Sequence, residues 1–172
     1  MNAYNLLVHY SAEKGYFSAR KEIEKSLVEC GDKKPVIDKL IEGNVIGVKT
    51  VLEPKEVIQE LKEKSFKNPQ EFSATTKWIP VESWCAAKMS SIETEIKDMR
   101  QQINAGERWS AEIETWQRGP TDEEIVHMLK RVINERFVEE HGSKTIFVEF
   151  QGDQAAISIL RQDDVFVVVN YD

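Results

Sequence analysis

The stretch from Phe72 to Trp84 divides the chain and constrains any fold it can adopt. Phe72, Ala74 and Thr76 alternate with Ser73, Thr75 and Lys77, a period of two that predicts a half-buried strand. Pro80 then interrupts the ladder, because proline has no N–H to donate and holds the residue before it extended. Everything before this joint reads as one α/β unit and everything after it as another. The boundary falls at 78/79, giving units 1–78 and 79–172.

A chain of 172 residues, 41% hydrophobic and 31% charged, can build one ordinary core or two small ones, and its composition is globular rather than disordered. No run approaches the roughly 20 apolar residues that span a bilayer, and the residues after Met1 lack the basic and apolar regions of a signal peptide. A cytoplasmic protein with no membrane partner is expected. Cys30 and Cys85 lie far apart without a C-x-x-C spacing or a neighbouring histidine, so they read as small apolar residues, not as a disulfide or zinc site. The net charge of −7 is unevenly spread. Residues 1–75 carry 12 basic and 12 acidic side chains, whereas residues 76–172 carry 11 and 18. That excess argues against diffuse binding to polyanions, though a local basic patch can survive on an acidic protein.

In the first unit, residues 4–10 form a short apolar run, and Ala19, Ile23, Leu27 and Cys30 follow at helical spacing up to Gly31. Residues 36–41 and 45–51 are apolar runs separated by Glu42, Gly43 and Asn44, the composition of a turn between antiparallel strands. Pro54 opens a second helix, with Val57, Ile58 and Leu61 on its apolar face. With the strand at Phe72 the order is βαββαβ, the ferredoxin-like arrangement. That fold hosts many functions and names none.

The second unit begins with Ser90 and Glu93 in capping-box spacing, and Ile92, Ile96, Met99 and Ile103 predict a helix to about Asn104. Residues 108–118 alternate as a strand with Trp109, Ala111 and Ile113 inward and Glu112 and Glu114 outward. Thr121 and Glu124 form a second capping box, and Ile125, Leu129, Val132, Ile133 and Phe137 predict the longest helix of the chain, ending near Gly142. Three strands follow, at 145–150, 155–160 and 165–171.

Read together, an α+β chain with a ferredoxin-like unit followed by two capped helices on a small sheet resembles the THUMP proteins. The stretches that carry the likeness are residues 5–8, 47–50 with 56–58, Ile79 to Glu82, Ala111 to Arg118 before the second capping box, and Ala156 to Leu160. No one stretch is diagnostic; their order over nearly the whole chain is. The chain is similar to the stand-alone archaeal THUMP proteins and to the eukaryotic ones that serve as tRNA-binding adaptors of the RNA cytidine acetyltransferase. The resemblance implies a tRNA-binding module directed to the acceptor stem and 3′ end, with that acetyltransferase as a partner. In related enzymes a methyltransferase, deaminase or thiouridine synthetase domain follows. Here the chain stops at Asp172, so an adaptor without its own chemistry is expected.

The motif content of the chain agrees with that expectation. The chain has neither a G-x-x-x-x-G-K-S/T nor a G-x-G-x-x-G loop, and His9, His127 and His141 have no ligand spacing, so no cofactor or metal is expected. Adjacent carboxylates such as Glu123 and Glu124 diverge by about 100° on a helix and read as solvated residues or partners of the helix dipole. For RNA the leading candidate is Arg118, which matches a basic position of the family and precedes the helix start at Thr121, where free N–H groups attract phosphate. Lys77 and Lys88 flank the joint, Lys130 and Arg131 lie on the exposed side of the long helix, and Lys144 and Arg161 stand at strand ends. Each of these, taken alone, reads first as a solvated surface charge, while Arg118 is balanced between that reading and an RNA contact. Among the tryptophans, Trp109 reads as core, and Trp78, beside Lys77, is the candidate for stacking on an unpaired base, worth roughly 1–3 kcal/mol, against burial between the units. The acidic second unit departs from the family pattern. It supports an alternative of another class, a ferredoxin-like protein-interaction module without RNA binding.

Overall fold

A computed structural model describes residues 4–169. The chain forms two α/β units. One contains the residues up to Pro80 and the segment from Asp163 onward, and the other is Val81–Gln162.

In the first unit β1 (Leu6–Tyr10), α1 (Gly15–Cys30), β2 (Val36–Lys39), β3 (Val45–Lys49), α2 (Pro54–Lys67) and β4 (Thr75–Pro80) follow in the βαββαβ order. The apolar spacing of α1 and α2 places Ala19, Ile23, Leu27, Val57, Ile58 and Leu61 against Leu6, Val8 and Val48 of the sheet. Gly31 ends α1 at φ 115°, a conformation disfavoured for any residue with a β-carbon, and its N–H returns to Leu27 O and Val28 O. Carboxylates then tie helix to strand. Glu22 accepts the N–H groups of Ser73, Ala74 and Thr75 at 2.7–2.9 Å, and buried Asp32 accepts Thr50 Oγ1 at 2.7 Å and Val51 N–H at 3.1 Å.

The second unit comprises β5 (Ser83–Ala86), α3 (Met89–Met99), β6 (Arg108–Glu114), α4 (Asp122–Val132), β7 (Arg136–Phe137), β8 (Lys144–Gln151) and β9 (Gln154–Leu160), with sheet order β5-β9-β8-β6-β7. Ile92, Ile96, Ile125 and Leu129 of the two helices pack on Trp109, Ile146, Val148 and Ile157. Trp109 is fully buried, its indole N–H donating to Glu135 O at 2.9 Å. Glu82 closes the sheet's other side, accepting the Ile159 N–H at 2.7 Å.

Four expectations change. The helix after Thr121 is not the longest: α4 has 11 residues and α1 has 16. Ile133 turns extended (φ −107°, ψ 122°) and Phe137 lies in β7. The β-branched pair Val132 and Ile133 serves either conformation, so the apolar spacing could not mark the end. Ser90 is not a cap: α3 starts at Met89 behind Lys88 and has no side-chain cap. The strand from Arg108 stops at Glu114, since Trp116 and Gln117 take φ of 51° and 63°. The segment after Val165 was expected in the second unit. Instead β10 (Phe166–Val167) pairs antiparallel with Trp78 and Lys77 of β4, making sheet order β10-β4-β1-β3-β2. Phe166 is 3% exposed and stacks edge-on against Phe72 at 5.0 Å, so the first unit's core buries it. The end of that expected strand, residues 170–171, lies outside the described residues.

Candidate nucleic-acid interface

Strand directions decide which basic residues of the second unit share a surface. β5 is antiparallel to β9, β9 is antiparallel to β8, and β8 is parallel to β6. β5 and β6 therefore run the same way, and α3 and α4, which follow them, both start at the C-terminal edge of the sheet. The β8–β9 turn closes at that edge, where Ala87 N–H donates to Asp153 O at 2.9 Å.

The loop carrying Arg118 folds onto the same edge. The left-handed residues Trp116, Gln117 and Gly119 bring the chain around (φ 51°, 63° and 68°), and the Arg118 N–H returns to Thr115 O at 3.0 Å. A β-carbon at Gly119 would stand 3.0 Å from the Phe150 ring and 4.0 Å from Ala87 O. The loop of Arg118 thus lies against the segment that carries Lys88, and both basic side chains are exposed.

The two helix starts at this edge differ in sign. At α4, Thr121 Oγ1 accepts the Glu124 N–H at 3.2 Å, and Asp122, Glu123 and Glu124 fill the first turn. Those carboxylates already answer the positive end of the helix dipole and repel phosphate. At α3, no side chain caps the first N–H groups, the first turn has no acidic residue, and Lys88 occupies the cap position. By these charges, the start of α3 suits an anion better than the Thr121 start expected from sequence. The signal was present in the sequence: three carboxylates follow Thr121 and none follows Lys88 until Glu93.

The remaining candidates lie elsewhere. β8 begins at Lys144 and β9 ends at Leu160, so Lys144 and Arg161 belong to the opposite edge of the sheet. Lys144 is 7% exposed, donates to Gln102 O and pairs with Glu107 at 3.2 Å, which makes it an internal brace and not an RNA contact. Its apolar neighbours on β8 give no warning of this, because the partner oxygens come from the loop after α3. Glu107 is held below the usual carboxylate range by the Asn104 N–H, assisted by Lys144 and Arg161. Lys130 and Arg131 are exposed near the end of α4, as their helical positions predict. Lys130 lies over the Phe137 ring, 4.4 Å from its centroid, and Arg131 pairs with Glu93 of α3. That guanidinium lowers the Glu93 carboxyl.

Lys77 and Trp78 belong to the first unit. Lys77 is partly exposed on β4, opposite His9 and Val167. Trp78 is fully buried in the first unit's core, its indole N–H donating to Thr75 Oγ1 at 3.0 Å, so it is excluded as a stacking platform. Its inward register follows from β4's pairing with β1, which the period of two alone could not orient. The thiols are partly buried; burial, with Glu60 nearby, pushes Cys30 up to about 12, and burial, with Glu95 nearby, pushes Cys85 to about 11. Neither is poised for reaction at neutral pH.

Two units of this topology occur together in solved structures. PH1313 from Pyrococcus horikoshii Ot3 matches with a TM-score of 0.65 at 14% identity, over 95% of this chain and 55% of its own. TrmN from Thermus thermophilus matches at 0.54 and 7% identity, over 90% of this chain and 44% of its own. The fold is THUMP-like. A 4-thiouridine synthetase, solved as an RNA complex with bound ATP, matches this THUMP-like chain at 0.50 and 11% identity, over 93% and 42%. The chain spans about half the length of these proteins. No protein-family model and no curated protein matches its sequence.

Proposed function

We propose that this THUMP-like chain is a cytoplasmic, non-catalytic tRNA-binding adaptor that presents the acceptor stem and 3′ end to a tRNA-modifying enzyme such as an RNA cytidine acetyltransferase. The observation that carries the reading is the edge where the loop of Arg118 meets the segment of Ala87 and Lys88 at the uncapped, acid-free start of α3. Backbone N–H groups and two cations there fit a phosphodiester. The solved RNA complex of a similar fold supports RNA as the ligand class. Selectivity would come from A-form shape, since phosphate contacts set register and carry no base information.

A salt titration of binding to total tRNA, intact and trimmed at its 3′ end, tests this. Intact tRNA should bind more tightly than trimmed tRNA, and affinity should fall with salt. Arg118→Ala and Lys88→Ala should each weaken binding and flatten the logarithmic salt slope by about 1. Unchanged slopes in both variants would move the RNA site away from this edge.

A further inference from the structure

The geometry points to a second binding site on the second unit: we infer that the open edge of β6 takes an extended, basic segment of a partner protein as an added strand. β7 pairs with β6 at Arg108 and Trp109 alone. Val138 N–H reaches Trp109 O at 2.8 Å, so the Trp109 backbone faces the β7 side. By the period of two, the backbones of Ala111 and Ile113 face that side as well. Among the described residues no strand lies beyond them, while β8 covers the other side of β6 through Glu114.

A cavity flanks this edge on each face of the sheet, and Ala111 and Glu139 line both. On the α4 side, a space of about 470 Å³ has Val126 and Phe137 as apolar walls and Asp122 and Glu123 as carboxylates. On the opposite face, a space of about 510 Å³ is lined by Glu112, Glu140 and His141. An added strand sends alternate side chains to opposite faces, one set into each cavity. Both cavities are rich in carboxylate. The ammonium present, that of Lys130, lies over the Phe137 ring. Long basic side chains suit this setting, laying their methylene stems on Val126 and Phe137 and their charges among the carboxylates.

Charge also selects the occupant. A second copy of this edge would bring carboxylates against carboxylates, and RNA would bring phosphates against them. A Lys- or Arg-rich strand alone gains from both the backbone groups and the field. This inference does not depend on RNA binding at the Arg118 edge.

The test titrates the ¹⁵N-labelled full chain with a capped heptapeptide of alternating arginine and valine. Two controls replace arginine by glutamate or methylate every second backbone nitrogen. The amides of Ala111 and Ile113 should shift on binding, the glutamate peptide should leave the spectrum unchanged, and the N-methylated peptide should bind at least tenfold more weakly. Glu123 and Glu139 are exposed, so E123K/E139K should keep the fold, weaken the arginine peptide at least tenfold and leave tRNA affinity undiminished. Equal affinity of the methylated peptide, unmoved Ala111 and Ile113 amides, or an unaffected double variant would overturn the site. Failure of tRNA to bind would overturn the RNA reading and leave this one standing.

Discussion

Individual charges in this protein act through the partner that the fold supplies. Arg131 and Glu93 come from different helices, and the guanidinium is the main reason the Glu93 carboxyl titrates low. A depressed carboxylate contributes stability that is present above its unfolded value and lost as pH falls through its folded one. Glu93 and Glu107 should therefore make the second unit slightly less stable as pH falls below the ordinary glutamate range, a small effect at groups in contact with solvent. Arg131→Ala should raise the Glu93 midpoint toward that of a free glutamate while leaving Glu107 in place, read from side-chain carboxyl shifts across a pH series. No movement of Glu93 would mean that Lys97, also beside it, is enough. The same contrast separates Lys144 from Lys88: both are lysines next to a turn, yet one is buried on Gln102 O and Glu107 and the other is exposed at a helix start. Residue type alone cannot distinguish them, since the difference lies in oxygens contributed from about forty residues away.

At the level of elements, backbone approach matters as much as side-chain pattern. The connection from β7 to β8 crosses close to β6, and a β-carbon at Gly142 would lie 2.6 Å from Ser110 N and 2.7 Å from the Trp109 carbonyl carbon. The glycine is needed there for space. Gly142→Ala should cost about 1–3 kcal/mol, because strand backbone cannot yield as a flexible side chain would. Urea melts of the variant should show a lower midpoint with unchanged slope. A neutral result would show that the crossing loop simply lifts off β6. Helix ends were legible where a chemical signal marks them: Thr121 with Glu124, Pro54 and Gly31 all stand where their chemistry predicts. They were illegible where two conformations bury the same residues. Val132, Ile133 and Phe137 face inward both as α4 running into β7 and as one longer helix, so their spacing could not choose.

For the whole molecule, the chain visits the first unit, builds the second and returns. What brings it back is Phe166, 3% exposed and packed on Phe72. The accompanying pairs, Lys62 with Asp163 at 2.9 Å and Lys55 with Asp164 at 3.8 Å, sit at the surface and contribute ~0–1 kcal/mol each. A buried aromatic contributes several times as much. Phe166→Ala should cost the first unit about 3–5 kcal/mol and leave hydrogen-exchange protection in β8 and β9 of the second unit unchanged. Equal loss of protection in both units would mean that they unfold as one.

Local chemistry in the chain is enough to specify its α+β class, the βαββαβ order, the interruption at Pro80 and the cap at Thr121, because periodicity, proline and hydroxyl caps act over a few residues. Tertiary structure alone decides the rest. It returns the last strand to β4, buries Trp78 and Lys144, brings the loop of Arg118 against the segment before Lys88 and, among the described residues, leaves Ala111 and Ile113 without a strand beyond them. Each of these outcomes depends on which strand becomes whose neighbour and in which direction, a choice made by packing between residues far apart in the chain.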